Sequence, residues 1–262
     1  MSRLEWLTTR AEAVGPHRVP RAEDLPDQAN HPGGVRRDTP RLRLVKSLLW
    51  PAVSLRDNLI VDGFVERTVG RWIRELAGPE TDFLEIGCGD MTLRKYLPAG
   101  VCYNGFDLSL AEFHLRRVLK RSADVNVALA SATHVPLDDS CADLLAATEV
   151  LEHIPDIDAA VGEIYRLARP GARFLCSIPN NLGRKYAVKG PHKEHVNDWT
   201  YDGFVQYMAG RGFALVRGLR KGYWIPLPGW LARRMQVSYQ LPLRPAKEYD
   251  CTNFFCDFRI EK

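Results

Sequence analysis

Ile60, Phe64, Val65, Val69, Trp72, Ile73 and Leu76 recur at three- and four-residue spacing, the period of one helical face. An amphipathic helix is therefore expected from about Asp57, stopped by Gly78-Pro79. After it the pattern changes to short apolar runs punctuated by turn residues. Asp82–Ile86 reads as a strand running into Gly87-Cys88-Gly89, and Thr92–Tyr96 as a helix start halted near Pro98. Val101–Phe106, Val125–Ala130 and Ala142–Ala147 read as further strands. Ser109 is a suitable N-cap for a helix through Arg121 between the second and third of these. A helix over about Ile157–Ala168 leads to a turn at Arg169-Pro-Gly-Ala172 and a fifth strand, Arg173–Ile178. Residues 182–199 read as a loop, Thr200 as the cap of a helix through Ala209, and Phe213–Leu219 and Phe254–Ile260 as strands six and seven. Strands alternating with helices at this spacing predict a parallel sheet with helices on both faces.

Two stretches escape this rhythm. Residues 1–56 hold six prolines, a Gly33-Gly34 pair and scattered charges, a composition that breaks regular structure. They are expected to form an extended arm, partly disordered or covering the active site, with Arg41–Trp50 as a short amphipathic element. The remaining residues, 57–262, read as one domain with a Pro-, Trp- and Arg-rich insertion at about 224–249, a candidate acceptor pocket or lid.

Length and charge narrow the function. A chain of 262 residues, 45% hydrophobic, suits one sizeable α/β domain plus extensions. No run of eighteen apolar residues occurs and the N-terminus lacks a secretory pattern, which together predict a cytoplasmic protein without a transmembrane segment. Six cysteines without a CxxC pair fit reduced, mostly buried thiols. The net charge of +4 resides in residues 1–56, which hold ten Lys/Arg against six Asp/Glu; the other 206 residues hold 26 of each. That balance argues against nucleic acid as a partner. Oligomeric state is not legible.

Ligands of open parallel sheets bind at the carboxyl ends of the strands, and three such ends carry suitable residues. Glu85-Ile-Gly87-Cys88-Gly89 follows strand one, where missing Cβ atoms let the backbone approach a ligand. Asp107 closes strand two, placed to accept hydrogen bonds from both hydroxyls of a ribose; capping of the next helix is the competing use. Ala130-Ser131-Ala132 leaves room for a flat base after strand three. Together they outline a nucleoside pocket.

In order along the chain, Glu85-Ile-Gly-Cys-Gly89, Tyr103-Asn-Gly-Phe-Asp-Leu-Ser109, Ala142-Asp-Leu-Leu145, Glu149-Val-Leu-Glu-His153, Arg169-Pro-Gly171 and Ile178-Pro-Asn180 resemble the class I S-adenosylmethionine (SAM)-dependent methyltransferases, most of all their small-molecule branch. The resemblance covers about residues 57–222 and takes in the final strand. It implies a Rossmann-like, seven-stranded, mostly parallel sheet whose last strand is antiparallel, and SAM as cofactor. Residue by residue, it implies that Glu85, Gly87, Cys88 and Gly89 lie under the methionine part, Asp107 on the ribose, Ser131 and Ala132 by the adenine, and Thr148 close to the sulfonium. Ser131 replaces an acidic residue usual in the family, and Met91 replaces a third glycine. A nicotinamide dehydrogenase would need its third glycine where Thr92 stands, which argues against that class.

If the acceptor is a hydroxyl, a base helps to remove its proton. His153, at the carboxyl edge of strand four, is the first candidate and His195 the second, with a structural, loop-bonded histidine as the plainer use of each. Glu149, Glu152 and His153 would converge on one helical turn and, with His195, make a set fit for a divalent metal. Some ubiquinone-pathway O-methyltransferases and small-RNA 3′-end 2′-O-methyltransferases have an arrangement similar to this, and His195-Val-Asn-Asp-Trp199-Thr200 also resembles the RNA enzymes; metal-independent members share Glu-x-x-Glu-His as well. The expected function is therefore methyl transfer to a small-molecule hydroxyl in a biosynthetic pathway. A metal-assisted RNA 2′-O-methyltransferase and a SAM-binding protein without catalysis are the alternatives.

Overall fold

The computed structural model describes residues 63–108, 125–225 and 239–262. The expected N-terminal arm, the helix at Ser109–Arg121 and residues 226–238 of the 224–249 insertion lie outside the described residues. In chain order the elements are α1 (Gly63–Leu76), β1 (Phe83–Ile86), a 3₁₀ turn (Thr92–Tyr96), β2 (Tyr103–Asp107), β3 (Val125–Leu129), β4 (Ala142–Thr148), a 3₁₀ turn (Leu151–His153), α2 (Ile157–Leu167), β5 (Ala168–Pro179), α3 (Arg184–Lys189), α4 (Tyr201–Ala209), β6 (Phe213–Ile225), β7 (Tyr239–Leu241), a 3₁₀ turn (Glu248–Asp250) and β8 (Cys251–Ile260).

They build a single sheet in the order β3-β2-β1-β4-β5-β8-β6-β7. Strands β1 to β5 pair in parallel, while β8 is antiparallel to both β5 and β6. All seven expected strands are present, with the last antiparallel, in a Rossmann-like arrangement. A further three-residue strand, β7, pairs with the end of β6 at the sheet edge. The first and fourth strands are adjacent, and strand order reverses at that point, which is where open α/β sheets form their ligand crevice.

Period-two alternation divides the core between the two faces. Phe83, Tyr103, Leu144, Ala146, Leu175 and Phe255 face α1, which buries Phe64, Val69, Trp72 and Ile73. Leu84, Ile86, Leu145, Phe174, Cys176 and Phe258 pack with Val161 and Ile164 of α2 and Phe204 and Met208 of α4. A Cβ on Gly70 would collide with the Tyr96 ring, so α1 sits against the first 3₁₀ turn only because that position is glycine. Asp156 caps α2 by accepting from the Ala159 amide at 3.1 Å, and Thr200 caps α4 by accepting from the Gly203 amide at 3.1 Å. All six cysteines are free thiols, five of them buried.

Three local expectations change. The turn at Arg169–Ala172 lies within β5 as an irregularity, with Gly171 at φ 78°, between the Ala142–Ala168 and Leu144–Arg173 pairs. The expected loop 182–199 contains the six-residue helix α3, which buries none of its residues. Glu149 and Glu152 do not share a helical turn, because Glu149 is left-handed at φ 54° and a 3₁₀ turn, not an α-helix, follows. The antiparallel part is pinned by a buried charge: Asp257 of β8 accepts from Arg173 Nε of β5 at 2.9 Å and from Arg217 Nε of β6 at 2.6 Å.

Candidate active site

At the end of β1 the chain reverses through residues that few side chains tolerate. Gly87 and Gly89 have φ of 67° and 42°. Met91, standing where a glycine was expected, adopts φ 56° all the same and is buried in the α1-side core. The Cys88 amide donates to the Phe106 carbonyl at 3.0 Å, tying this turn to β2. The Gly89 amide donates to Asp107 Oδ2 at 2.9 Å, so the turn and the carboxylate at the end of β2 are held side by side. Beneath them Glu85 is 2% exposed and accepts from the Tyr103 hydroxyl at 2.5 Å. Burial outweighs that hydrogen bond and pushes the Glu85 carboxyl up to about 8.

A cavity of about 420 Å³ opens above this turn. Glu85, Gly87, Cys88 and Gly89 line it on the β1 side and Thr148 on the β4 side. Eight residues that the sequence did not single out as cofactor contacts also line it, among them Phe64 of α1, Glu149, Lys185 of α3 and Asn253 of β8. For Asn253 a signal was available, a polar residue immediately before the apolar run Phe254-Phe255-Cys256. Asp107, Ser131 and Ala132 lie outside this cavity's wall. Ser131 Oγ is 2.7 Å from Thr133 Oγ1 and accepts from the Thr133 amide at 3.2 Å, so its hydroxyl serves its own turn. Ala132 packs against the core on the α2 side.

Beyond the end of β4, the expected set of Glu149, Glu152, His153 and His195 separates into two. Glu149 is held by Ser177 Oγ, which donates to Oε1 at 2.8 Å, and by Asn253 Nδ2, which donates to Oε2 at 3.0 Å. Burial raises its carboxyl above the usual range. Glu152, His153 and His195 cluster together, with one ligand atom from each all within 4.8 Å of one another. His192 completes a trio of imidazoles: its ring centroid is 4.1 Å from that of His195 and 6.2 Å from that of His153. This residue was missed because the sequence gives it no place on any element.

The cluster has the polarity of a cation site. Glu152 is 1% exposed and its Oε2 has no hydrogen-bond partner, an arrangement that costs free energy unless something positive meets it. Oε1 lies 3.7 Å from His153 Nε2. His153 Nδ1 is 3.0 Å from the Glu194 carbonyl, and His195 Nδ1 is 2.7 Å from Asn181 Oδ1. Both acceptors require Nδ1 to carry the proton, which leaves each Nε2 lone pair available to a ligand. Burial, then the neighbouring His192 and His153, lowers His195 to about 4, so it is a neutral imidazole near pH 7. Two imidazoles and one carboxylate suit a divalent metal.

Residues 84–176 match the family model described as "Methyltransferase domain". The chain is 31% identical over 120 residues to the "Probable S-adenosylmethionine-dependent methyltransferase" of Mycolicibacterium smegmatis, covering 44% of this chain and 46% of that protein. It is 32% identical over 107 residues to the ubiquinone biosynthesis O-methyltransferase of Alkalilimnicola ehrlichii, covering 39% of this chain and 43% of the relative. The chain thus spans about half the length of the curated relatives it matches. In fold it resembles the 1,6-didemethyltoxoflavin-N1-methyltransferase of Burkholderia thailandensis, solved with S-adenosylhomocysteine, at a TM-score of 0.55 and 15% identity, covering 86% of this chain and 92% of that one. Among the described residues no helix is long and apolar enough to cross a membrane. The glycine turn and the Asp107 carboxylate thus lie within the stretch, residues 84–176, that is similar to a methyltransferase domain.

Proposed function

We propose that this chain transfers the methyl group of SAM to a hydroxyl oxygen of a small-molecule acceptor. The observation that carries the reading is the shared cavity, which joins the Glu85–Gly89 turn to Thr148 and Glu149 at the end of β4, with imidazoles just beyond. In this reading Glu85, Gly87, Cys88, Gly89 and Thr148 bound the methionine and sulfonium end, and Asp107 takes the ribose hydroxyls. Ala132 borders the adenine through its backbone; the Ser131 hydroxyl, engaged by Thr133, contributes little to reading the base.

The chemistry asks mainly for alignment, because the sulfonium is already activated. An acceptor oxygen lone pair forms the bond to the methyl carbon as the carbon–sulfur bond breaks, its electrons remaining on sulfur. The hydroxyl proton passes to an imidazole. His153, with its side chain 37% exposed and its ring tautomer set by the Glu194 carbonyl, is the proposed base, and His195 is the substitute. His153→Ala is expected to reduce turnover at unchanged S-adenosylhomocysteine affinity; normal turnover on the true acceptor would remove it from the role.

The unpartnered Glu152 oxygen favours a second reading, in which Glu152, His153 and His195 hold a divalent metal. Such a metal would supply a Lewis acid for the acceptor hydroxyl, and His153 would then be a ligand and not a base. The even charge of residues 57–262 speaks against RNA as the acceptor even in that case. Calorimetric titration of metal-stripped protein with S-adenosylhomocysteine, with and without Mn²⁺ or Mg²⁺, tests both readings. Micromolar binding indifferent to metal supports the first. Metal binding abolished by Glu152→Ala supports the second. Folded protein that binds no S-adenosylhomocysteine would sink the proposal.

A further inference from the structure

Glu149 occupies a backbone position that glutamate rarely adopts, at φ 54°. Such strain persists only where surrounding structure holds it, and it concentrates where a side chain must be aimed. Here two neighbouring strands do the holding. The Glu149 amide donates to the Ser177 carbonyl of β5 at 3.1 Å, Ser177 Oγ donates to one carboxylate oxygen, and Asn253 Nδ2 of β8 donates to the other. The result is a carboxylate on the wall of the cavity that also contains Gly87, Gly89 and Thr148. Opposite in sign, Lys185 lines the same cavity from α3. Its charge acts on Glu149. Of the other carboxylates on the wall, Glu85 is bonded to Tyr103, while Glu66 and Asp90 come from α1 and from the turn after β1.

We infer that Glu149 is the residue that reads the charge on the cofactor's sulfur, favouring the sulfonium of SAM over the neutral thioether of S-adenosylhomocysteine. This inference rests on the SAM reading of the cavity. Methyl transfer changes one formal charge on the cofactor: the sulfonium cation becomes a thioether, while the amino-acid ammonium and carboxylate stay as they were. A carboxylate fixed near the sulfur therefore attracts the substrate form and ceases to attract the product form. Lys185 works in the opposite sense. The pair sets how strongly the site prefers loaded over spent cofactor, and so how readily product leaves.

The test compares dissociation constants for SAM and for S-adenosylhomocysteine, measured separately by calorimetry. Glu149→Gln keeps the side chain's size and the Ser177 contact. It is expected to weaken SAM about tenfold, the scale of one charge removed at a few ångströms in a partly buried site, and to leave S-adenosylhomocysteine within about twofold. Equal weakening of both ligands would overturn the inference, because Glu149 would then serve a part common to both. If Glu149→Gln does not fold, Lys185→Met decides, since α3 buries none of its residues. It is expected to shift the preference toward SAM by about threefold; an unchanged ratio would overturn the inference. Wild-type protein that binds neither ligand would instead remove the methyltransferase reading itself.

Discussion

The two halves of the crevice are built on different principles. On the β1–β2 side the chain shapes itself: Gly87, Gly89 and Met91 turn the backbone, and Asp107 receives the Gly89 amide at 2.9 Å. The polar groups there have partners, Glu85 included. On the β4–β5 side three imidazoles crowd within 6.2 Å of one another and a buried carboxylate oxygen is unpartnered. A self-contained turn suits a ligand common to a whole family. An incomplete polar cluster suits a group that arrives with the substrate or as a metal.

The comparison breaks first at Gly87. A Cβ there would meet the Val150 methyl groups, and φ of 67° is hostile to any β-branched residue. Gly87→Val is expected to cost more than about 3 kcal/mol, seen as a collapse of the melting temperature and loss of S-adenosylhomocysteine binding. A variant that melts near wild type would show that the turn is more pliable than its dihedral angles imply.

Glu85 offers the next largest effect, and one with a sign. Its folded value of about 8 lies above the ordinary glutamate value of 4.5, so between those pH values the folded protein keeps a proton that the unfolded chain releases. Stability contributed by Glu85 is fully present below pH 4.5 and is lost as pH rises toward 8. Glu85→Gln should therefore gain on wild type as pH rises from 5 to 8, by on the order of 4 kcal/mol at most. Parallel melting curves across that range would show that Glu85 is charged in the folded protein.

Asp107→Ala is expected to raise the S-adenosylhomocysteine dissociation constant more than about tenfold, the loss of one charge-assisted contact pair. Unchanged affinity would take Asp107 off the ribose. The smallest effect belongs to the other half: His192→Ala should leave stability within about 0.5 kcal/mol and S-adenosylhomocysteine affinity within about twofold, since His192 is exposed and off the cavity wall. A large change there would mean that the imidazole cluster and the cofactor cavity are one energetic unit.

Legibility followed the same divide. Strand ends, the glycine turn, the Asp107 position and the Thr200 N-cap could be read because each depends on a few neighbouring residues and on dihedral preference. The longer β6, the irregularity within β5 and helix α3 could not. Strand pairing carried β6 to Ile225, six residues past its expected end, and bulging against β4 kept Arg169–Ala172 inside a strand.

Fold class, the strand-then-glycine turn and the carboxylate at the end of β2 were thus determined by the sequence alone, since periodicity and backbone preference act locally. Only the tertiary structure decided which polar groups meet. Asn253 reaches Glu149 across 104 positions of chain, and His195 finds His153 through a loop that carries no pattern. The one-residue choice that swings Glu149 away from Glu152 and toward Ser177 depends on where β5 and β8 place their side chains. No local propensity encodes that, because the strain at Glu149 is repaid by partners far away in sequence.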